Sequence, residues 1–391
     1  MVKMNKMKKR ILGGIISLLF LGAGVPRAAA EGSGGVDCSA AKAAFLAETE
    51  TGQPLYEYNA DVRLPIASVT KVMTLLIAAE ELEKGTITFE TMASCSDHAA
   101  SMDGSVIWLT AGEEMSVGEL VKAVVIASAN DACVMLAETI EGSEEAFVER
   151  MNKTAARLGM NNTHFANCVG FDNEDHYSTA RDVAIMSAAL RRYDFFDEFL
   201  LTRLDSVRTG QKTEVQLLNT NKLITRYDGI TGLKTGTTDA AGCCLAATAR
   251  RGEMGLTAVV LGCSEDEARF DTAETLLDYG FSGFEIVAIH PDPAELLEVK
   301  VEGGVKGAVD TRFTETSTVI LPKGSKSTIE YHYSRTTAVT APVQQGQLLG
   351  FVTVTSGDTV IGTAKIIAAE EIEELDFGRS LRELVKNLFS F

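Results

Sequence analysis

Ala67-Ser68-Val69-Thr70-Lys71-Val72-Met73-Thr74 follows Pro65, and Val69, Val72, Met73, Leu76 and Ile77 recur at helical spacing. On a helix, residues three apart share a face, so the Lys71 amine can reach the Ser68 hydroxyl. A serine hydroxyl is a poor nucleophile until a base takes its proton, and a partly desolvated lysine can be that base. A serine at a helix start also offers its own N–H to a developing oxyanion. Spacing alone says little, because Ser-x-x-Lys arises about once by chance in a chain of this size, and here it occurs twice. The other copy, Ser39-Ala40-Ala41-Lys42, runs into a predicted strand, where that spacing puts the two side chains on opposite faces.

Working outward, Ala43 to Glu48 and Pro54 to Tyr58 read as a strand pair around the turn Thr51-Gly52-Gln53. Helical patterns follow at Ser116 to Ile126, opened by a Ser116…Glu119 capping box, at Ser143 to Leu158, closed by Gly159, and at Thr179 to Tyr193. Leu233 to Thr237, Cys243 to Arg250 and Leu256 to Leu261 read as strands, the last two joined at Gly252. Strands, helices, then strands again predict an α/β sheet domain carrying a helical insert. After Gly283 short Val- and Thr-rich strands with Gly and Pro punctuation predict an all-β domain of about ninety residues. In the tail, Phe377, Leu381, Leu384, Val385 and Leu388 share a helical face, with Arg379, Arg382 and Lys386 elsewhere on the wheel.

Two further segments can complete the chemistry. Ser128-Ala129-Asn130 lies in a predicted loop, where a hydroxyl could pass a proton between Lys71 and a leaving amine and an amide could hold Lys71 and a substrate backbone. As a lone tripeptide it reads better as a polar inter-helix turn. Lys234-Thr235-Gly236, followed by Thr237, lies on a predicted strand; a small glycine lets a peptide lie alongside, and Lys234 adds charge for a terminal carboxylate. Arg208-Thr209-Gly210 is a near match with no clear strand pattern around it. A Ser-x-x-Lys opening a helix, a Ser-x-Asn sixty residues on and a Lys-Thr-Gly on a late strand together match the motif set of penicillin-binding proteins and related β-lactamases.

The termini and composition narrow the setting. Lys3, Lys6, Lys8, Lys9 and Arg10 precede an apolar run, Ile11 to Val25, and Ala28-Ala29-Ala30 supplies small residues for cleavage, so residues 1–30 read as a signal peptide and the protein as exported. The net charge is −18, and near −24 once that basic leader is removed, which excludes a nucleic-acid partner. Seven scattered cysteines leave at least one unpaired, and Cys243 and Cys244 read as packing residues. His98, His164, His176, His290 and His332 have no metal-ligand spacing, and no cofactor is implied.

With these motifs in place, the chain resembles the low-molecular-mass penicillin-binding proteins of serine D-Ala-D-Ala carboxypeptidase type. The resemblance takes in residues 67–74, Ser128-Ala129-Asn130-Asp131-Ala132, His176 to Asp182, Asn219 to Leu223, Gly232 to Thr238, and Ala341-Pro342-Val343 with Gly346-Gln347. It implies a penicillin-recognising, transpeptidase-like domain over 31–284, an antiparallel sheet with helices and a helical subdomain. A β-rich domain over 285–374 and an amphipathic membrane-associating helix over 375–391 would follow. It further implies Ser68 as the acylated nucleophile, Lys71 as its base and Ser128 as proton relay; burial and the nearby charge of Lys234 are expected to hold Lys71 neutral. Asn130, Lys234, Thr235, Gly236 and Thr237 would contact substrate, the N–H groups of Ser68 and Thr237 would form the oxyanion hole, and Arg269 would meet the terminal carboxylate. The expected partners are the peptidoglycan stem peptide, β-lactams and, through the tail, the outer face of the cytoplasmic membrane; a terminal helix docked on the β domain is the other reading of the tail. Cys243 departs from the pattern, since relatives usually carry an aromatic there. A β-lactamase is disfavoured by the 157 residues after Lys234 and by the lack of Glu-x-x-Leu-Asn, Glu214 being out of register with Asn219. A binding scaffold with an inactive site is disfavoured because every motif residue is intact.

Overall fold

A computed structural model describes residues 36–314 and 318–376, together with Gly378. The leader and nearly all of the tail helix lie outside the described residues. The chain enters as a hairpin, β1 (Ala43–Glu48) and β2 (Pro54–Tyr58), whose bounds match the sequence reading. A 3-10 turn over Ala67–Thr70 leads into α1 (Lys71–Lys84), which ends on a left-handed Gly85. The helical insert comprises α2 (Val117–Ile126), α3 (Asn130–Glu141) and α4 (Glu144–Leu158), and α5 (Ala180–Leu190) returns the chain to the sheet. A small hairpin, β3 (Leu204–Val207) and β4 (Val215–Leu218), precedes three long strands, β5 (Ile230–Thr238), β6 (Gly242–Arg251) and β7 (Met254–Cys263), and then α6 (Asp266–Gly283).

The main sheet is antiparallel in the order β2-β1-β7-β6-β5. Its strands are buried on both faces, and alternate side chains serve different cores. Ala43, Phe45, Ala246, Val259 and Leu261 face the core shared with α1, α5 and the helical insert. Ala44, Leu46, Leu245, Ala247, Ala258 and Val260 face Phe270, Ala273, Leu276 and Leu277 of α6. Cys243 and Cys244 divide between these two cores, and all seven cysteines are buried and unbridged.

Helix starts follow their caps. Ser116, Ser143 and Thr179 each accept from the N–H three residues on, satisfying one donor that a helix leaves open. The capping box at Ser116 is only half made, because the Glu119 carboxylate accepts the Arg208 N–H instead of turning back. Two helices escaped the periodicity reading. Asn130 to Ala137 of α3 are all buried, so no apolar stripe stands out, and α6 starts without a side-chain cap. The segment before Arg208-Thr209-Gly210, read as lacking a strand, is β3.

Beyond α6 the chain is β-rich. Phe284–Ala288 pairs with Thr318–Pro322, and three- and four-stranded sheets follow. Gln53 of the β1–β2 turn clasps this region, donating to the Ile320 carbonyl at 2.8 Å and accepting its N–H at 3.3 Å. Among the described residues no helix is long and apolar enough to cross a membrane.

Candidate active site

Ser68 is the second residue of the 3-10 turn, behind Ala67, whose φ of 48° is left-handed for a residue with a Cβ. Lys71 opens α1 and is fully buried. Its Nζ lies 2.8 Å from Ser68 Oγ, 2.7 Å from Asn130 Oδ1 and 2.8 Å from the Val169 carbonyl. Asn130 Nδ2 donates to the Asp103 carbonyl at 2.7 Å, which turns Oδ1 toward the lysine. Two of the three contacts are therefore pure acceptors. A neutral amine has two N–H groups for them and one lone pair left, aimed at the Ser68 hydroxyl. Burial pushes Lys71 down to about 8, so this neutral form is accessible near neutral pH.

Lys71 and Lys234 each disfavour the other's charge. Lys234 is itself pushed well below its ordinary value, by burial first and then by Lys71 and Arg269. Its Nζ has one acceptor, the Thr235 carbonyl at 3.1 Å. A buried ammonium so thinly satisfied would be stabilised by an incoming carboxylate.

The Ser39–Lys42 copy of the motif lies in a turn just before β1, not on a strand, with Lys42 N–H bonded to the Leu261 carbonyl at 2.9 Å. Ser128 has a left-handed φ of 63° and is buried, and no described residue hydrogen-bonds its hydroxyl. A buried, unpaired hydroxyl is costly, and such strain concentrates at working sites.

Strand β5 closes the other side. A Cβ on Gly236 would lie 2.8 Å from the Ser68 nitrogen and 2.9 Å from the Ile66 carbonyl, so only glycine lets the strand approach the nucleophile this closely. Thr235 Oγ1 donates to Thr220 Oγ1 at 2.6 Å. Arg269, on α6, is buried beneath the strand and donates to the Gly236 carbonyl, Thr237 Oγ1 and the Cys244 carbonyl at 3.0, 3.0 and 3.3 Å, and to Asp266. Its Nη1 and Nη2 are thus engaged, while its buried Nε has no hydrogen-bond partner among the described residues.

Sequence reasoning missed the third wall. Asn167 Oδ1 accepts the N–H groups of Val169, Gly170 and Phe171, folding a turn that delivers the Val169 carbonyl to Lys71. Gly170 has φ +94°, and a Cβ there would fall 1.9 Å from the Ala67 carbonyl. Asn167-x-x-Gly170 was a legible turn signal; a lysine acceptor on the backbone was not. His176 is also fixed here. Its Nδ1 accepts the Ala166 N–H, so the proton sits on Nε2, 2.7 Å from Thr70 Oγ1. Among the described residues no group of His, Cys, Asp or Glu could hold a metal.

The chain is similar to known proteins in both sequence and fold. Residues 31–265 match the D-alanyl-D-alanine carboxypeptidase family, and residues 284–374 match the penicillin-binding protein 5 C-terminal domain. The chain is 39% identical over 338 residues to the D-alanyl-D-alanine carboxypeptidase DacF of Bacillus subtilis, covering 86% of this chain and 87% of that one. It is 35% identical over 346 residues to DacC of Escherichia coli, with coverages of 86% and 85%. The structure of penicillin binding protein 5 from Haemophilus influenzae superposes with a TM-score of 0.76 at 30% identity, over 86% of this chain and 98% of that one. Penicillin-binding protein D2 from Listeria monocytogenes, in its ampicillin-bound form, superposes at 0.56 and 31% identity over 62% and 98%. With a paired serine and lysine against a glycine-bearing strand, and with these matches, this chain is a member of the D-alanyl-D-alanine carboxypeptidase family, a serine peptidase of low-molecular-mass penicillin-binding type.

Proposed function

We propose that Ser68 carries the acyl group as this enzyme removes the terminal D-alanine from peptidoglycan stem pentapeptides. The observation behind this reading is the hydrogen-bond set of Lys71 Nζ, two acceptors and one hydroxyl. Lys71 takes the Ser68 proton as Oγ attacks the carbonyl between the two D-alanines. The backbone N–H groups of Ser68 and Thr237 receive the oxyanion. The C–N bond then breaks, and the leaving amine takes a proton that reaches it from Lys71 through Ser128. Water, deprotonated by the same lysine, attacks the ester and frees the shortened stem. Asn130, Thr235 and Gly236 line the substrate; Lys234 binds the terminal carboxylate, with Arg269 acting through the Thr237 hydroxyl. β-Lactams acylate Ser68 by the same attack.

The division at residues 284–285, export by residues 1–30, and peripheral attachment to the outer face of the cytoplasmic membrane through residues 375–391 belong to the same proposal. The last is supported by the apolar face of Phe377, Leu381, Leu384, Val385 and Leu388.

Mass spectrometry of products from a stem pentapeptide tests the reaction, run with the wild type, Ser68→Ala and Ser39→Ala. The wild type and Ser39→Ala release one D-alanine per peptide; Ser68→Ala releases none and takes up no fluorescent penicillin while staying folded. Activity surviving in Ser68→Ala would remove it as nucleophile.

A further inference from the structure

Three segments meet around Ser68 and touch in pairs. Gly236 of β5 lies against the Ser68 nitrogen, where a Cβ would be 2.8 Å away, and Gly170 lies against the Ala67 carbonyl, where a Cβ would be 1.9 Å away. The third pair is joined by side chains. Asp172 accepts the Thr238 hydroxyl on Oδ1 at 2.6 Å and the Ala240 N–H on Oδ2 at 3.3 Å. Thr238 Oγ1 in turn accepts the Ala241 N–H at 3.1 Å, so one carboxylate gathers the turn between β5 and β6. A closed ring of contacts results, from Ser68 to Gly236, Thr238 to Asp172 and Gly170 to Ala67.

The links of this ring do different work. The two glycine contacts set how closely β5 and the Asn167–Phe171 turn approach the nucleophile, but a backbone contact at one residue leaves the strand free to tilt beyond it. Thr237 lies just beyond, between Gly236 and Thr238, and its N–H is the second oxyanion donor. Arg269 holds the Thr237 hydroxyl from beneath at 3.0 Å, and Asp172 holds the next residue from the side of the turn. Asp172 also follows closely on Val169, whose carbonyl receives Lys71. The segment that fixes the base thus reaches across to the strand that bears the donor. Asp172 is exposed, and a polar contact there contributes little to global stability. A charge-assisted clasp is directional, however, and groups that act on a transition state must be held within about 0.5 Å of their working position.

We propose that Asp172 is a positioning residue: by clasping Thr238 and Ala240 it sets the Thr237 N–H at the spacing from the Ser68 N–H that the developing oxyanion requires. This rests on the acyl-transfer reading above and adds to it the residue that aligns its oxyanion donor. Removing an oxyanion donor typically costs about 10²–10³ in turnover, and a donor that is only displaced keeps part of its effect. The loss falls on the transition state, because the ground-state carbonyl depends less on the donor.

The experiment compares kcat and KM for an N-acylated peptide ending in D-Ala-D-Ala. The enzymes are the wild type, Asp172→Ala, Asp172→Asn, Thr238→Val, the Asp172→Ala/Thr238→Val double variant and Glu174→Ala, which removes an exposed acid of the same loop. Asp172→Ala should lower kcat about tenfold and leave KM within about twofold of the wild type. Asp172→Asn should lose less, because its amide oxygen still accepts from Thr238. The double variant should lie within about twofold of Asp172→Ala, as two partners in one contact do, and Glu174→Ala should match the wild type. A boronic acid analogue of D-alanine adds to Ser68 as a tetrahedral anion, so its affinity should fall about tenfold in Asp172→Ala. A purely structural carboxylate would lower the unfolding temperature without moving that affinity. An unmoved boronate affinity, an equal kcat loss in Glu174→Ala, or losses that multiply in the double variant would each overturn the proposal. Fluorescent-penicillin labelling of the wild type separates the two readings: no labelling would count against Ser68 chemistry, while full labelling with kcat unchanged in Asp172→Ala counts against this inference alone.

Discussion

At the scale of residues, Lys71 governs the chemistry because it is buried among acceptors. Only its neutral form can take the Ser68 proton, and with its value lowered to about 8 by burial that form grows with pH up to there. The second-order rate of acylation by a β-lactam should therefore rise roughly tenfold per pH unit below that value and level off above it. Stopped-flow acylation across pH 6–9 measures this, and a flat profile would contradict it. Lys71→Arg keeps the charge and cannot deprotonate, so acylation should fall by at least about 10³-fold; a rate within tenfold of wild type would remove Lys71 as base. Ser68, Lys71, Ser128, Asn130 and Lys234 were all legible as residue types at set spacings. Their partners were not: Val169 contributes only a carbonyl, and its side chain carries no trace of that duty.

At the scale of elements, the site exists because β5 and the Asn167–Phe171 turn press against the 3-10 turn that bears Ser68. Both approaches need glycine. Gly236→Ala would put a methyl 2.8 Å from the Ser68 nitrogen, displacing the strand and lowering acylation by about 10²-fold or more. Gly283→Ala, where a Cβ meets nothing, is the matched control and should label as wild type; equal labelling of the two variants would show that the strand tolerates the shift. His176 ties the same turn to the loop after α4. Burial pushes it down to about 4, against about 6.5 in an unfolded chain. The unfolded state therefore binds the proton first as pH falls. The stability held by neutral His176 is complete above about 6.5 and lost progressively toward 4, an effect on the order of 3 kcal/mol. Urea unfolding from pH 7 to 4 should show this slope in the wild type and a shallower one in His176→Gln; identical slopes would exclude His176 as its source.

At the scale of the whole molecule, the β-rich region is attached through the Gln53 clasp on Ile320 and through the Ile320 side chain, which packs into the core beneath α6, and it closes near Glu374, which bridges to Gly304. Ending the chain after Asp376 leaves these contacts intact. The truncated protein should keep its kcat on short peptides and its unfolding temperature, while the full-length mature form, but not the truncated one, sediments with anionic lipid vesicles. Loss of folding on truncation, or equal sedimentation, would make the tail a packing element.

The sequence by itself determined the periodicities and the reactive residue types. Short strand-like runs bounded by turns marked the sheet strands, a capping box marked the start of α2 and a glycine the end of α4, and three short motifs named the nucleophile, its base and the substrate strand. These are local, since hydrophobic period, capping chemistry and side-chain spacing are written within a few residues of one another. Only the tertiary structure decided that the Asn167–Phe171 turn brings the Val169 carbonyl to Lys71. It also decided that Arg269 lies under β5 with its Nη1 and Nη2 engaged, that α3 is a helix although Asn130 to Ala137 are all buried, and that Asp131 and Arg208 hold Trp108 in the open. Each depends on segments far apart in the chain meeting at hydrogen-bond distance, and burial, which sets the lysine protonation states, is a property of that meeting and not of any residue alone.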